Sequence, residues 1–217
     1  MSKTQLNVVA LISGGGSNLQ ALIQDSQHAD SPFRIVGVIS NRPQAGGLQH
    51  AERAGIEQIV IDHNNFQSRE SFDQAMIEAI DQWNPDLVVL AGFMRILTPA
   101  FVTHYLGRMI NIHPALLPKF PGLDTHQRAI DAGESHHGAS VHYVIPELDA
   151  GPVILQASVD VLPDDTATEL AARVLKQEHK IYPQSVRWIA EGKIRFQENQ
   201  VYLDGELLPA NGHQITF

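Results

Sequence analysis

An apolar run ends in two polar side chains two residues apart, Asn111 and His113, in the stretch MINIH. Side chains two apart on a strand point the same way, so a strand ending here aims an amide and an imidazole at one place. The amide offers hydrogen-bond donors and the imidazole carries a proton. That pair suits a carbonyl whose oxygen becomes an anion as it reacts. A lone histidine at a strand end would read as a satisfied structural side chain. Here Pro114, Pro118 and Pro121 follow, keep the next segment out of regular structure, and tip the reading towards a site.

A histidine acid or base usually has an orienting carboxylate. Asp124, Glu147 and Asp149 are the candidates. Asp149 stands out because it lies in PELDAGPVILQ, between two strand-like runs, where the Gly151-Pro152 turn can return it to the same sheet edge. Ordinary turn chemistry also places Asp before Gly-Pro. His126, His136, His137 and His142 invite a metal reading, but no H-E-x-x-H helix and no carboxylate-backed spacing is present. His136 and His137 are expected at a surface turn, and no metal is expected.

A second motif, LISGGGSNLQ, follows the first strand-like run and opens a helical one. Glycines there allow a tight turn and close approach to a ligand. Ser17 or Asn18 is expected to cap the helix, whose N-terminus attracts an anion. Gly14 and Gly16 fit a dinucleotide fingerprint, but its sixth position is Leu19 and the second strand ends Ser40-Asn41-Arg42 without an acid. A P-loop would need a lysine that is missing. A monophosphate on a small substrate suits this turn better.

These motifs need a scaffold. Strand-like runs cover 7–13, 34–40, 58–61, 87–91 and 109–113, rich in Val, Ile and Leu on both faces. Helical patterns lie between them at 17–26, 46–54, 68–83 and 98–105. This alternation predicts an α/β, Rossmann-like fold: a mostly parallel sheet with helices on both faces. After Pro121 the order changes to a helix at 125–132, strands at 139–144 and 153–161, and a long helix at about 166–192 with Pro183 as a candidate bend. Antiparallel additions are therefore expected in the C-terminal part. The last alternating stretch carries Asp204-Gly205, a hairpin signal. No linker, repeat or low-complexity segment interrupts the 217 residues, so one domain is expected.

Composition narrows the classes. A net charge of −9 argues against a broad nucleic-acid face while leaving room for one anionic substrate. The absence of cysteine excludes disulfides, thiolate metal sites and cysteine nucleophiles. No signal-peptide pattern or membrane-length apolar segment is visible, so a cytoplasmic location with no membrane partner is expected.

The motifs VVALISGGGSNLQALI, PDLVVLAGFMRILTPAFV, NIHPALLPKFPGL, HGASVHYV, LDAGPVILQ and QEHKIYP together resemble the phosphoribosylglycinamide formyltransferase family, over nearly the whole chain. The resemblance implies a single formyltransferase domain over 1–217, phosphate-binding to about residue 108, catalytic and folate-binding beyond it. It implies 10-formyltetrahydrofolate as co-substrate, no metal, and formyl transfer to the amine of glycinamide ribonucleotide (GAR) in purine biosynthesis. Asn111, His113 and Asp149 match the family's catalytic trio. Gly16, Ser17 and Asn18 match its phosphate loop, and Glu178 an acid that contacts GAR. Arg69, Met94, Arg95, Ile96 and Leu97 match positions at the folate site, as do Ile145, Pro146, Glu147, Leu148 and Asp149, with Asn111 shared between folate and catalysis. Two positions depart from the pattern: Gly15 replaces a usual Asn, and Asp124 stands where His is common. The backbone donors remain at the first; the second puts any role for Asp124 in doubt.

By the same resemblance, the amine attacks the formyl carbon directly. Asn111 and His113 stabilise the oxyanion, while Asp149 orients His113 and favours its charged form. A tRNA formyltransferase would be expected to add a C-terminal tRNA-binding domain, and a formyltetrahydrofolate hydrolase an N-terminal regulatory one. A non-catalytic nucleotide-binding module is the rival from another class. Expected partners are GAR and the formyl folate alone, on a monomer or homodimer.

Overall fold

A computed structural model describes residues 5–216 of the chain. The chain divides between Ile110 and Asn111 into two compact units.

The first unit alternates strands and helices. Its strands are β1 (Leu6–Ile12), β2 (Phe33–Ser40), β3 (Gln58–Val60) and β4 (Leu87–Leu90). Its helices are α1 (Ser17–Ser26), α2 (Gly47–Arg53), α3 (Arg69–Asp81) and α4 (Pro99–His104). The strand order is β4-β1-β2-β3, and each neighbouring pair is parallel. Val8 to Ile12 are fully buried, as a strand covered on both faces requires. The helices start where local chemistry lets them. Ser68 and Ser71 form a reciprocal capping box before α3, and Thr98 caps α4 with Pro99 at its first position. A 3₁₀ turn at His63–Asn65 was not foreseen in the sequence.

Strand β5 (Met109–His113) carries the chain into the second unit. There follow α5 (Thr125–Asp131), β6 (His136–Tyr143), β7 (Val153–Asp160) and α6 (Ala167–Ala190). The hairpin strands β8 (Ile194–Gln197), β9 (Gln200–Leu203) and β10 (Glu206–Leu207) come next, then β11 (His213–Thr216). The strand order here is β11-β7-β6-β5, with β6 antiparallel to β7 and β7 parallel to β11. A separate antiparallel sheet, β10-β9-β8, turns at Asp204-Gly205, both at positive φ, as the hairpin signal predicted. The chain thus has the α/β, Rossmann-like architecture expected, with its antiparallel additions C-terminal.

The structure corrects one local expectation and adds a strand. β6 begins at His136, ahead of the 139–144 run, so His136 and His137 lie in a strand and not at a surface turn. His137 is buried there, while His136 faces solvent near Asp160. α6 is the long helix expected, and it runs on through Pro183 because its apolar face (Leu170, Val174, Ile181, Val186) is buried and tertiary packing outweighs one lost helical bond. β11 has no alternating pattern of its own; its pairing with β7 defines it.

Candidate active site

In the first unit, β1 ends at Ile12 and the chain turns through Gly14, Gly15 and Gly16 into α1. Gly16 is the helix N-cap, with φ 77° and ψ 28°. Neither Ser17 nor Asn18 caps the helix through its side chain, against expectation, because both already lie inside it. A Cβ on Gly16 would sit 2.4 Å from the Gly47 Cα, so this position needs glycine for both its φ and its neighbour. The Gln20 N–H donates to the Gly16 carbonyl at 2.8 Å, so the helical bonding of α1 begins at the glycine turn. Residues 14–18 line a cavity of about 330 Å³ with Gln20, His50, Ala91 and Gly92. His50 was missed in the sequence; a single histidine in a short amphipathic helix gives no signal of its own. A Cβ on Gly15 would meet nothing within 4 Å, so the turn has room for a side chain at this position.

The other candidates in this unit divide by exposure. Arg69 is the first residue of α3 and is exposed. Met94, Arg95 and Ile96 are exposed, while Leu97 is buried. The Met94 N–H donates to Ser13 Oγ at 2.7 Å, which fastens that segment to the end of β1.

In the second unit, β5 delivers Asn111 and His113 on one face, the amide half-buried and the imidazole buried. The proline-braced segment after it supplies two contacts. His113 Nε2–H donates to the Phe120 carbonyl at 2.9 Å, and Gly122 N–H donates to Asp149 Oδ2 at 2.8 Å. His113 Nδ1 then faces Asp149 Oδ2 at 3.6 Å. Because a carbonyl can only accept, the Phe120 contact assigns a proton to Nε2 and leaves Nδ1 as the nitrogen turned towards the carboxylate. Both ring nitrogens face oxygen, so the imidazolium form can donate from each. Asp149 itself adopts a left-handed φ of 51° on the loop after β6, a conformation uncommon outside glycine. Glu147 and Asp124, the other carboxylate candidates, are exposed. Glu178 is buried on α6. Ile145 is half-buried, and Pro146, Glu147 and Leu148 are exposed.

His142 joins this cluster and was weighed in the sequence only as a metal ligand. Its Nε2 lies 3.3 Å from Asn111 Nδ2 and 3.8 Å from Asp149 Oδ1. Its spacing in HGASVHYV gave a hint, since strand alternation puts it on one face with Ser140. Among the described residues, no group of three or more His, Asp or Glu is arranged to hold a metal.

Behind the cluster, the His126 and His137 rings meet edge to face at 5.1 Å. His126 Nδ1 and His137 Nε2 are buried without a hydrogen-bond partner among the described residues. Burial, with help from His126, holds His137 down to about 4 from its ordinary 6.5. The unfolded chain takes up this proton near 6.5 and the folded one only near 4, so stability is lost as pH falls through that window. The loss should approach ~3 kcal/mol at the acid end. Urea midpoints between neutral and acid pH should fall more steeply for the native chain than for His137→Phe. Parallel profiles would place the acid sensitivity elsewhere.

A glycine turn at the first βα junction and an Asn-x-His strand end beside an Asp loop define the class to which the chain belongs: it is a member of the formyl transferase family, whose model matches residues 6–186. Within that family it falls among the phosphoribosylglycinamide formyltransferases. It is 50% identical over 208 residues to the Escherichia coli (strain K12) phosphoribosylglycinamide formyltransferase, covering 96% of this chain and 98% of that one. The solved structure of the phosphoribosylglycinamide formyltransferase from Coxiella burnetii superposes with a TM-score of 0.93 at 51% identity, over 97% of this chain and 99% of that one. A trifunctional purine biosynthetic protein of Homo sapiens is 44% identical over 197 residues, covering 91% of this chain and 20% of that protein. No helix among the described residues is long and apolar enough to cross a membrane.

Proposed function

We propose that the chain transfers the formyl group of 10-formyltetrahydrofolate to the amine of GAR, giving formyl-GAR and tetrahydrofolate. The observation that carries this reading is the Asp149 carboxylate beside His113 Nδ1, on the strand that also presents the Asn111 amide. The amine nitrogen bonds to the formyl carbon, and the carbonyl oxygen becomes an anion. The Asn111 N–H donates to it, and the neighbouring His113 ring, held between Phe120 and Asp149, stabilises it electrostatically; one such donor typically contributes about 10²–10³ in turnover. Collapse breaks the bond to the folate nitrogen, which takes the proton that the amine loses, through Asp149 and a water. No covalent enzyme intermediate is needed.

The Gly16, Ser17 and Asn18 turn holds the GAR phosphate, since aligned helix amides favour an anion. Glu178 contacts the glycinamide end. The apolar side chains of Met94, Ile96 and Leu148, each more than half exposed, suit the flat pterin and its linker. Arg69, Arg95, Leu97 and 145–149 complete the folate contacts, with Arg69 and Arg95 facing its anionic tail. The chain works as one formyltransferase domain, its phosphate-binding part ending near residue 108. Small molecules are its only ligands, a net charge of −9 being unsuited to nucleic acid. It acts in the cytoplasm as a monomer or homodimer. Mixing the protein with 10-formyltetrahydrofolate and GAR should change the folate absorbance in step with formyl-GAR formed. No change with active, folded protein would sink the reading.

Asn18→Ala tests the phosphate seat. Asn18 is buried in the first turn of α1 and lines its cavity. Its loss should raise the KM for GAR about tenfold and leave kcat within a few-fold, because the phosphate does not react. A raised folate KM with unchanged GAR KM would move the phosphate elsewhere.

A further inference from the structure

We propose that His142 is a positioning residue for formyl transfer: its neutral imidazole fixes which way the Asn111 carboxamide faces. The proposal rests on the reaction assigned above. A carboxamide can sit either way round at almost the same shape, and only one way offers an N–H to the reacting oxygen. His142 Nδ1 lies 2.9 Å from the Tyr143 carbonyl, which can only accept. The ring proton is therefore on Nδ1, and Nε2 is left with a lone pair. That lone pair accepts one Asn111 N–H at 3.3 Å and leaves the second N–H for the oxyanion. The reversed amide would set its oxygen against the same lone pair, which costs a buried hydrogen bond and adds repulsion.

The backbone builds this arrangement. The β6–β7 register slips here, with Val141 opposite Leu155 and His142 opposite Val153, so the extra residue lies on β7 and β6 keeps the alternation that puts His142 on one face with Ser140. Tyr143 N–H donates to the Pro152 carbonyl at 3.0 Å, which holds the Tyr143 peptide in place. A Cβ on Gly151 would lie 1.8 Å from the Tyr143 oxygen and 3.6 Å from His142 Nδ1. Only glycine lets the Asp149 loop pass against the carbonyl that sets the His142 tautomer. Burial pushes His142 well below its ordinary basicity, against the pull of the Tyr143 carbonyl and Asp149 and with help from His113. The ring thus stays neutral while carrying out this role.

Two measurements decide it. Long-range ¹H–¹⁵N spectra of the histidine-labelled native enzyme near neutral pH should show His142 protonated on Nδ1 and bare on Nε2. The other tautomer, or a doubly protonated ring, would overturn the proposal whether or not any variant folds. In kinetics, His142→Phe should lower kcat roughly 10–100-fold with both KM values nearly unchanged. His142→Gln should recover most of it, because its NH₂ can serve the Tyr143 carbonyl and its oxygen can accept from Asn111. In an Asn111→Ala background, His142→Phe should add little. Equal losses in both backgrounds, or a Gln variant as slow as Asn111→Ala, would also overturn it. A native enzyme that transfers no formyl group would instead refute the reaction, and the tautomer would still be read directly.

Discussion

Changing His113 and Asp149 together to Ala should lower kcat scarcely more than the worse of the two single changes. Each single change should lower it about 10²–10⁴-fold, the range for a positioned acid–base group, with both KM values nearly constant. The two side chains meet at 3.6 Å, both nearly buried, so they form one proton path and not two independent aids. The measurement is a double-mutant cycle on kcat, with melting curves to confirm that each variant is folded. Asp149 also has a structural contact, because its Oδ2 accepts Gly122 N–H at 2.8 Å. Asp149→Asn separates the two roles: it keeps an acceptor for Gly122 and removes the charge. It should lose most of the activity with a nearly native melting temperature. Fully additive losses, or an active Asn variant, would reduce Asp149 to a fastener of the proline-braced segment.

Gly16→Ala should damage both stability and substrate binding. The residue sits at φ 77°, where a side chain costs about 1–2 kcal/mol. The new methyl would also lie 2.4 Å from the Gly47 Cα, a backbone atom that cannot swing away. Overpacking of that kind costs typically ~1–3 kcal/mol more. Relief requires α1 and α2 to part, which moves the helix mouth proposed to hold the phosphate. The melting temperature should fall by several degrees, and the KM for GAR should rise at least tenfold while that for folate changes little. Gly15→Ala is the control, since its Cβ would meet nothing within 4 Å. A Gly16→Ala enzyme with native melting and native GAR KM would show that the turn neither needs glycine nor seats the phosphate.

The sequence by itself determined the parallel first unit and the β5 end. Doubly buried strands need runs of Val, Ile and Leu, and helices between them need a period near 3.6, so both are written locally. The Asn111-x-His113 pair was legible for the same reason, because alternation fixes which side chains share a face. The motifs also marked Asp149, but from spacing its carboxylate could not be told apart from Glu147 or Asp124. Contacts between distant segments decided the rest. Phe120 and Gly122 bring the prolines' rigidity to bear on His113 and Asp149. Pairing with β7 extends β6 back to His136 and makes a strand of β11, whose own residues carry no alternation. His142 gained its partner from Asn111, 31 positions earlier in the chain, a pairing that no local pattern records. Gly16 took the cap from Ser17 and Asn18 because Gly47 leaves no room there for a Cβ. Local periodicity encodes which face a side chain occupies, whereas a hydrogen bond between segments depends on where the whole chain brings each one, to within a few tenths of an ångström.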